Sequence, residues 1–413
     1  MPSVLFVGID VSSNSCEVAF VDDQGKQLGR SFSVSNDLDG ACKVGEMICL
    51  SAEAQQLSEV RIGLESTSVY GWHLRDFLFD LDSLRKYSPL VYEINPSMVA
   101  SFKKSFSRKP KTDSLDAFAI AQRVRFGGLR PYSKTQMTTA PLQQLTRLRF
   151  HLVQTLVAEQ NRALSLLFLK FSAYKQASPF SDVLGKASTA VLEEFTSEEL
   201  ISFSLEDLAS FIVKNGNNRL KDPSEAAKVI QSAARRSYRL NPKMQDAVGV
   251  TLSLTLQNVE FLKSQIKKAD AVIARELEAF PQTLTTVQGL GPVLVAGIIS
   301  EVGDIFRFRS HGALAQFTGL TWTKCQSGDF EAEEHSLTKT GNKYLRYYMV
   351  EAANSLRVHN EEYKRFYQKK CQEVPKHQHK RALALTARKL VRLVFSMLRK
   401  GQIYRPEVMK ETV

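Results

Sequence analysis

Lys109-Pro-Lys-Thr-Asp113-Ser-Leu-Asp116-Ala-Phe-Ala-Ile-Ala121 reads as the opening of a helix. Thr112 and Asp113 suit an N-terminal cap, and the alanines at 117, 119 and 121 favour the turns that follow. On that helix Asp113 and Asp116, three residues apart, project from one face. Two carboxylates side by side repel unless positive charge lies between them, and a divalent metal is one source of it. Taken alone, the pair has a simpler account: acidic residues complementing the helix dipole. Further carboxylates on rigid elements would favour the metal.

The stretches upstream supply them. Val4-Leu-Phe-Val-Gly-Ile-Asp-Val11 and Cys16-Glu-Val-Ala-Phe-Val21 read as strands, and Arg30–Ser35 alternates like a third. A helix is expected over Leu38–Leu57, a fourth strand over Val60–Glu65, a helix over Trp72–Phe79 and a fifth strand over Leu90–Ile94. This order predicts a mixed sheet flanked by helices. Asp10 and Glu65 each lie at the end of an apolar strand. If those strands are neighbours, two carboxylates meet at one sheet edge, and Asp113 and Asp116 complete a set of four. Hard oxygen donors of this kind suit Mg²⁺ or Mn²⁺ and phosphodiester cleavage. Acidic residues at strand ends also serve as plain surface caps.

The charge is unevenly spread. Residues 101–150 hold eleven Lys/Arg against two Asp/Glu, and residues 364–413 hold fourteen against three. Net charges of +9 and +11 there, within a total of +12, leave about −8 elsewhere. Basic segments on an otherwise acidic chain are the footprint of a nucleic-acid binder; a solvated basic face or an anionic membrane contact are the alternatives. Five cysteines without a CxxC pair or zinc spacing suggest ordinary thiols in a reducing cytosol. The N-terminus lacks signal-peptide character, and no run of 18 apolar residues occurs, so a soluble intracellular protein is expected.

Three divisions are expected: residues 1–135, residues 136–280 and residues 281–413. Leu145, Leu148, Leu152 and Leu156, and then Val259, Leu262, Ile266, Ala269, Ile273, Leu277 and Phe280, mark two long amphipathic helices. They fit an antiparallel coiled coil or the core of an α domain equally. Residues 175–245 give no functional signal. Gly289-Leu-Gly291-Pro292 resembles a helix-hairpin-helix turn, where glycines admit a phosphate to free helix amides, or else a plain helix–helix turn. Ser327-Gly328 lies ahead of Lys339, Gly341 and Arg346, cations able to hold phosphate beside a hydroxyl nucleophile. His377 and His379 read as a solvated stretch, and Lys376–Lys400 as a basic helix with an apolar stripe.

These residues together resemble the DEDD transposases of the insertion-sequence one-ten family, relatives of the Piv-like DNA invertases. One block holds Gly8-Ile-Asp10, Leu64-Glu65-Ser-Thr and Lys111-Thr-Asp113-Ser-Leu-Asp116-Ala. The other holds Gly289-Leu-Gly-Pro, Gly303-Asp304-Ile-x-Arg307-Phe, Phe317-Thr-Gly-Leu320, Ser327-Gly328 and Thr338-Lys-x-Gly341-Asn-x-x-Leu345-Arg346. Trp322, Gln326 and His335-Ser336 depart from the family pattern around the serine.

The resemblance implies an α/β plus α architecture. It comprises an N-terminal RuvC-like, ribonuclease-H-like mixed sheet, central long helices, and a mainly helical C-terminal domain. It further implies a DNA transposase or recombinase with Mg²⁺ or Mn²⁺ on Asp10, Glu65, Asp113 and Asp116, and Ser327 as nucleophile. Donor and target double-stranded DNA and a structured bridge RNA are the implied partners, with Lys109, Lys111, Gly289, Gly291, Lys339 and Arg346 as nucleic-acid contacts. A homo-oligomer, dimer or tetramer, in a bacterial or archaeal cytoplasm at the nucleoid completes the expectation. Two other readings stay open: a metal-dependent RuvC-like junction nuclease without serine covalency, and a non-catalytic nucleic-acid-binding protein.

Overall fold

A computed structural model describes residues 3–65, 69–104, 113–216, 221–322, 326–327, 330–331 and 337–406. The chain divides into two compact units, residues 1–138 and 139–413.

In the first unit, alternation along each strand sorts side chains onto two faces of a sheet. The strands are β1 (Val4–Val11), β2 (Ser15–Val21), β3 (Phe32–Ser35), β4 (Glu59–Glu65) and β5 (Leu90–Ile94). Their order is β3-β2-β1-β4-β5. β1, β2 and β3 pair antiparallel, whereas β4 runs parallel to β1 and β5 parallel to β4. This is the mixed sheet expected from the sequence, in the place where the family resemblance implies a ribonuclease-H-like one.

Leu5, Val7 and Ile9 of β1, with Val60, Ile62 and Leu64 of β4, pack on one face with α1 (Leu38–Ala54) and α2 (Trp72–Asp80). The helix α1 starts on the Asp37 carboxylate, which accepts from Gly40 N. On the opposite face, Phe6 and Tyr92 join Val99 of α3 (Pro96–Lys103) and Ile120 and Val124 of α4 (Asp113–Phe126). Thr112, expected to help cap α4, lies outside the described residues.

Among its described residues the second unit is helical apart from a small hairpin. α5 (Lys134–Lys170) leads to five shorter helices: α6 (Tyr174–Ala177), α7 (Lys186–Glu194), α8 (Ser197–Ser202), α9 (Leu205–Asn215) and α10 (Pro223–Arg236). These cover the N-terminal half of α11 (Pro242–Leu277), where Leu252 and Leu256 share a core with Leu167 and Tyr174. The C-terminal half of α11 enters a second core with α12 (Pro292–Val302), α13 (His311–Thr318), α14 (Lys343–His359), α15 (Glu361–Gln372) and α16 (Gln378–Lys400). The strands β6 (Gln326–Ser327) and β7 (Phe330–Glu331) form the hairpin.

Both long helices are present, though their faces differ from expectation in one case. The apolar repeat of α11 is its buried face at Val259, Leu262, Ala269, Ile273 and Leu277. In α5 the buried positions are Thr139, Leu142, Thr146, Ala163 and Leu167, while Leu148 is 51% exposed. Thr146 is the reason: its hydroxyl lies 3.1 Å from Ser300 Oγ, a contact a leucine would not make, and its backbone carbonyl accepts from Tyr348 Oη at 2.7 Å. No described helix is long and apolar enough to cross a membrane.

Candidate active site

Two glycines bring the carboxylates together. In the parallel register, Gly8 faces Gly63 and Ile9 faces Leu64, so Asp10 and Glu65 follow at the same edge of adjacent strands. By alternation they share a sheet face with Gly8 and Gly63. That face carries α4, and it does so at backbone distance. A Cβ on Gly8 would stand 2.0 Å from Ala117 O and 2.4 Å from Ala121 N, and one on Gly63 would meet Val124 Cγ2 at 2.5 Å. With its middle turns on the glycines, α4 extends its first turn, carrying Asp113 and Asp116, toward the edge that holds Asp10 and Glu65. All four acidic positions singled out in the sequence therefore belong to one corner of the first unit.

The electrostatics of that corner call for positive charge. The Asp10 carboxyl is raised above its ordinary value, first by burial, then by the Asp116 carboxylate and further by Asp113, with Lys103 opposing. Lys103, the last residue of α3, places Nζ 2.5 Å from Asp116 Oδ1. A cation thus already sits against one member of the set. Clustered carboxylate oxygens with a burial-raised Asp10 are a donor set that a hard divalent ion fits. Among the described residues, no three His, Cys, Asp or Glu side chains are closed into ready-made coordination.

Other expected site residues lie in or before the second unit. Ser327 is in β6, opposite Phe330 of β7; its side chain, like Lys109, Lys111 and Gly328, lies outside the described residues. Gly289 is left-handed, with φ +99°, its carbonyl accepts from Ser355 Oγ at 2.7 Å, and Gly291 caps the start of α12. Lys339 is exposed, with φ +52°. Arg346 turns Nη1 inward, donating to the carbonyls of Thr318 at 3.1 Å and Lys339 at 2.8 Å. Gly319 makes that turn possible, since a Cβ there would stand 2.2 Å from Thr340 O.

Sequence reasoning missed two groups. Lys103 is separated from Asp116 by thirteen positions with no pattern linking them. The second is Glu301, whose side chain is fully buried and takes a two-pronged contact from Arg147, Nε to Oε1 at 2.7 Å and Nη2 to Oε2 at 2.9 Å. Its signal was present, as the one ionisable residue in Pro292–Val302, where Ser300 is the other polar side chain.

The chain is similar to several known proteins. A family model described as a transposase of the DEDD, IS110 type matches residues 7–171, and a second, described as the transposase IS116/IS110/IS902 family, matches residues 281–368. An uncharacterised 44.8 kDa protein of insertion element IS116 from Streptomyces clavuligerus is 25% identical over 97% of this chain and 96% of that protein. The mini-circle putative transposase for IS117 from Streptomyces coelicolor is 26% identical over 76% of this chain and 75% of that one. A RuvC structure from T. thermophilus in complex with a Holliday junction aligns with 32% of this chain and 100% of that chain, at 15% identity and a TM-score of 0.24. The chain belongs to the IS110-type insertion-element transposases, and its class is that of DNA transposases.

Proposed function

We propose that the protein cuts and rejoins DNA to move an insertion element, using the Asp10, Glu65, Asp113 and Asp116 carboxylates together with Ser327. The observation that carries this reading is the seating of α4 on Gly8 and Gly63, which gathers four carboxylates at one sheet edge. Those four residues would hold Mg²⁺ or Mn²⁺, which when bound supplies Lewis-acid stabilisation of charge on a phosphodiester. Asp10 and Glu65, fixed on strand ends, and Asp113 and Asp116, on the first turn of α4, would hold the cation whose charge lets a DNA phosphate approach this sheet edge.

Ser327 is the proposed nucleophile. Its Oγ bonds to phosphorus while the bond from phosphorus to one sugar oxygen breaks. The serine proton goes to solvent, and the departing sugar oxygen leaves as a hydroxyl. The resulting phosphoserine linkage preserves the energy of the phosphodiester for rejoining.

Donor and target DNA are the substrates in this reading, a structured bridge RNA selects them, and copies of the chain act together. Exposed cations support backbone binding, among them Arg365, Lys369, Lys376, Lys380, Arg392 and Lys400 on or beside α15 and α16. Cleavage of element-end DNA in the presence of guide RNA tests the carboxylate half. Wild type should cut with Mg²⁺ and not with chelator, and Asp113→Asn should lose on the order of 100-fold or more. Undiminished cutting by Asp113→Asn would refute the shared site.

A further inference from the structure

The proposed chemistry gives no role to Glu301, although it is the most thoroughly buried carboxylate in the second unit's site region. A carboxylate withdrawn from water is costly unless its lone pairs are met, and an apolar side chain commonly fills such a place more cheaply. Here four donors converge on it. Besides the two from Arg147, Asn342 Nδ2 donates to Oε2 at 2.7 Å and Gln143 Nε2 at 3.2 Å. Glu301 thereby joins α5, α12 and the start of α14 at one point.

Asn342 links this point to the serine. Its side-chain oxygen caps α14, accepting from the Tyr344 and Leu345 amides at 2.9 Å each, and its own amide donates to Phe317 O at 2.7 Å. The chain just before it is the second of two stems. Trp322 pairs with Leu337, Thr338 N donates to Thr321 O at 2.8 Å, and the Thr321 and Thr338 hydroxyls are 3.0 Å apart. Gly341 presses on the first stem so closely that a Cβ would stand 2.3 Å from Phe317 O. Residues 323–336, Ser327 among them, run between these stems.

We infer that Glu301, held by Arg147 and gripping Asn342, is a positioning residue that fixes the two stems in one register and so sets the orientation in which Ser327 is offered to DNA. This rests on the serine reading above. Charge suits the task because a two-pronged Arg–carboxylate contact has one geometry, which an apolar contact lacks.

Asn342→Ser separates the clamp from the helix cap, because a serine hydroxyl still accepts the first amides of α14 but, one bond shorter than the asparagine amide, falls short of Glu301. The assay is the rate at which DNA-linked protein forms, read beside melting temperature and DNA affinity. Asn342→Ser and Glu301→Gln should each slow linkage roughly ten- to a hundredfold, with DNA affinity unchanged and Asn342→Ser melting near wild type. Wild-type linkage rates in Asn342→Ser would overturn the clamp while leaving the serine reading standing. A wild type that never links to DNA would remove both.

Discussion

Gly8 and Ala117 meet backbone to backbone: a methyl group on Gly8 would stand 2.0 Å from the Ala117 carbonyl oxygen. This contact decides where α4 lies on the sheet, and hence how near Asp113 and Asp116 come to Asp10. Overpacking a well-filled contact typically costs about 1–3 kcal/mol, and more where backbone must move. Gly8→Ala should therefore lower the melting temperature and also reduce metal-dependent cleavage beyond what the loss of folded protein explains. Thermal melts and cleavage rates normalised to folded protein check this together.

Asp10 gives a pH prediction. Its folded-state pKa lies above the unfolded value, so between the two the native state holds a proton that the unfolded chain has released. Stability from this group is fully present below the unfolded value and is lost as pH rises through the folded one. The groups facing it are Asp113 and Asp116 from α4, Lys103 from α3, Glu65 from the adjoining strand β4 and Glu17 opposite on β2. In metal-free buffer Asp10→Asn should melt higher than wild type at neutral pH. The gap should close as pH falls toward the ordinary carboxylate range, and Asp10→Asn should not cut DNA.

Lys103 occupies ground that a divalent ion would contest. Replacing it with Met removes a partly buried ion pair with Asp116, at a cost on the order of 0.5–1 kcal/mol. It also leaves the carboxylates without their resident cation. Lys103→Met should melt lower than wild type in chelator and need less Mg²⁺ for half of its maximal stabilisation. A titration of melting temperature against Mg²⁺ reads both effects, and an unchanged midpoint would count against competition at Asp116.

Cys16 is buried in the first unit beside Asp10 and Asp37, and its thiol is pushed up to about 11, chiefly by burial. Cys42 is exposed. At pH 8 in native buffer a thiol reagent should modify Cys42 while sparing Cys16, and denaturant should release the Cys16 thiol. Peptide mapping of the modified protein checks this.

Much of the first unit was legible because its signals are local. The apolar runs Val4–Val11 and Val60–Glu65 mark strands, and acidic residues at their ends mark candidates for a site. What is not local is register. That β4 lies beside β1 in parallel, and that Gly8 and Gly63 make a seat for α4, follow from tertiary packing of residues more than fifty positions apart. The leucine repeat marked the helix α5 but not its buried face, since Thr146 packs inward with its hydroxyl against Ser300 Oγ, a polar contact that hydrophobic periodicity does not register. Glu301 was visible as an ionisable residue in an apolar helix, but its partners Arg147 and Asn342 come from distant parts of the chain.

The central claim is that Ser327 and the four carboxylates serve one DNA transposition reaction. Its most direct measurement is denaturing electrophoresis and peptide mass mapping after incubation of the protein with element-end DNA, guide RNA and Mg²⁺. The account predicts DNA joined covalently to Ser327, no linkage in Ser327→Ala, and none in Asp113→Asn. A wild type that cuts DNA with Mg²⁺ yet never becomes linked to it would contradict the account.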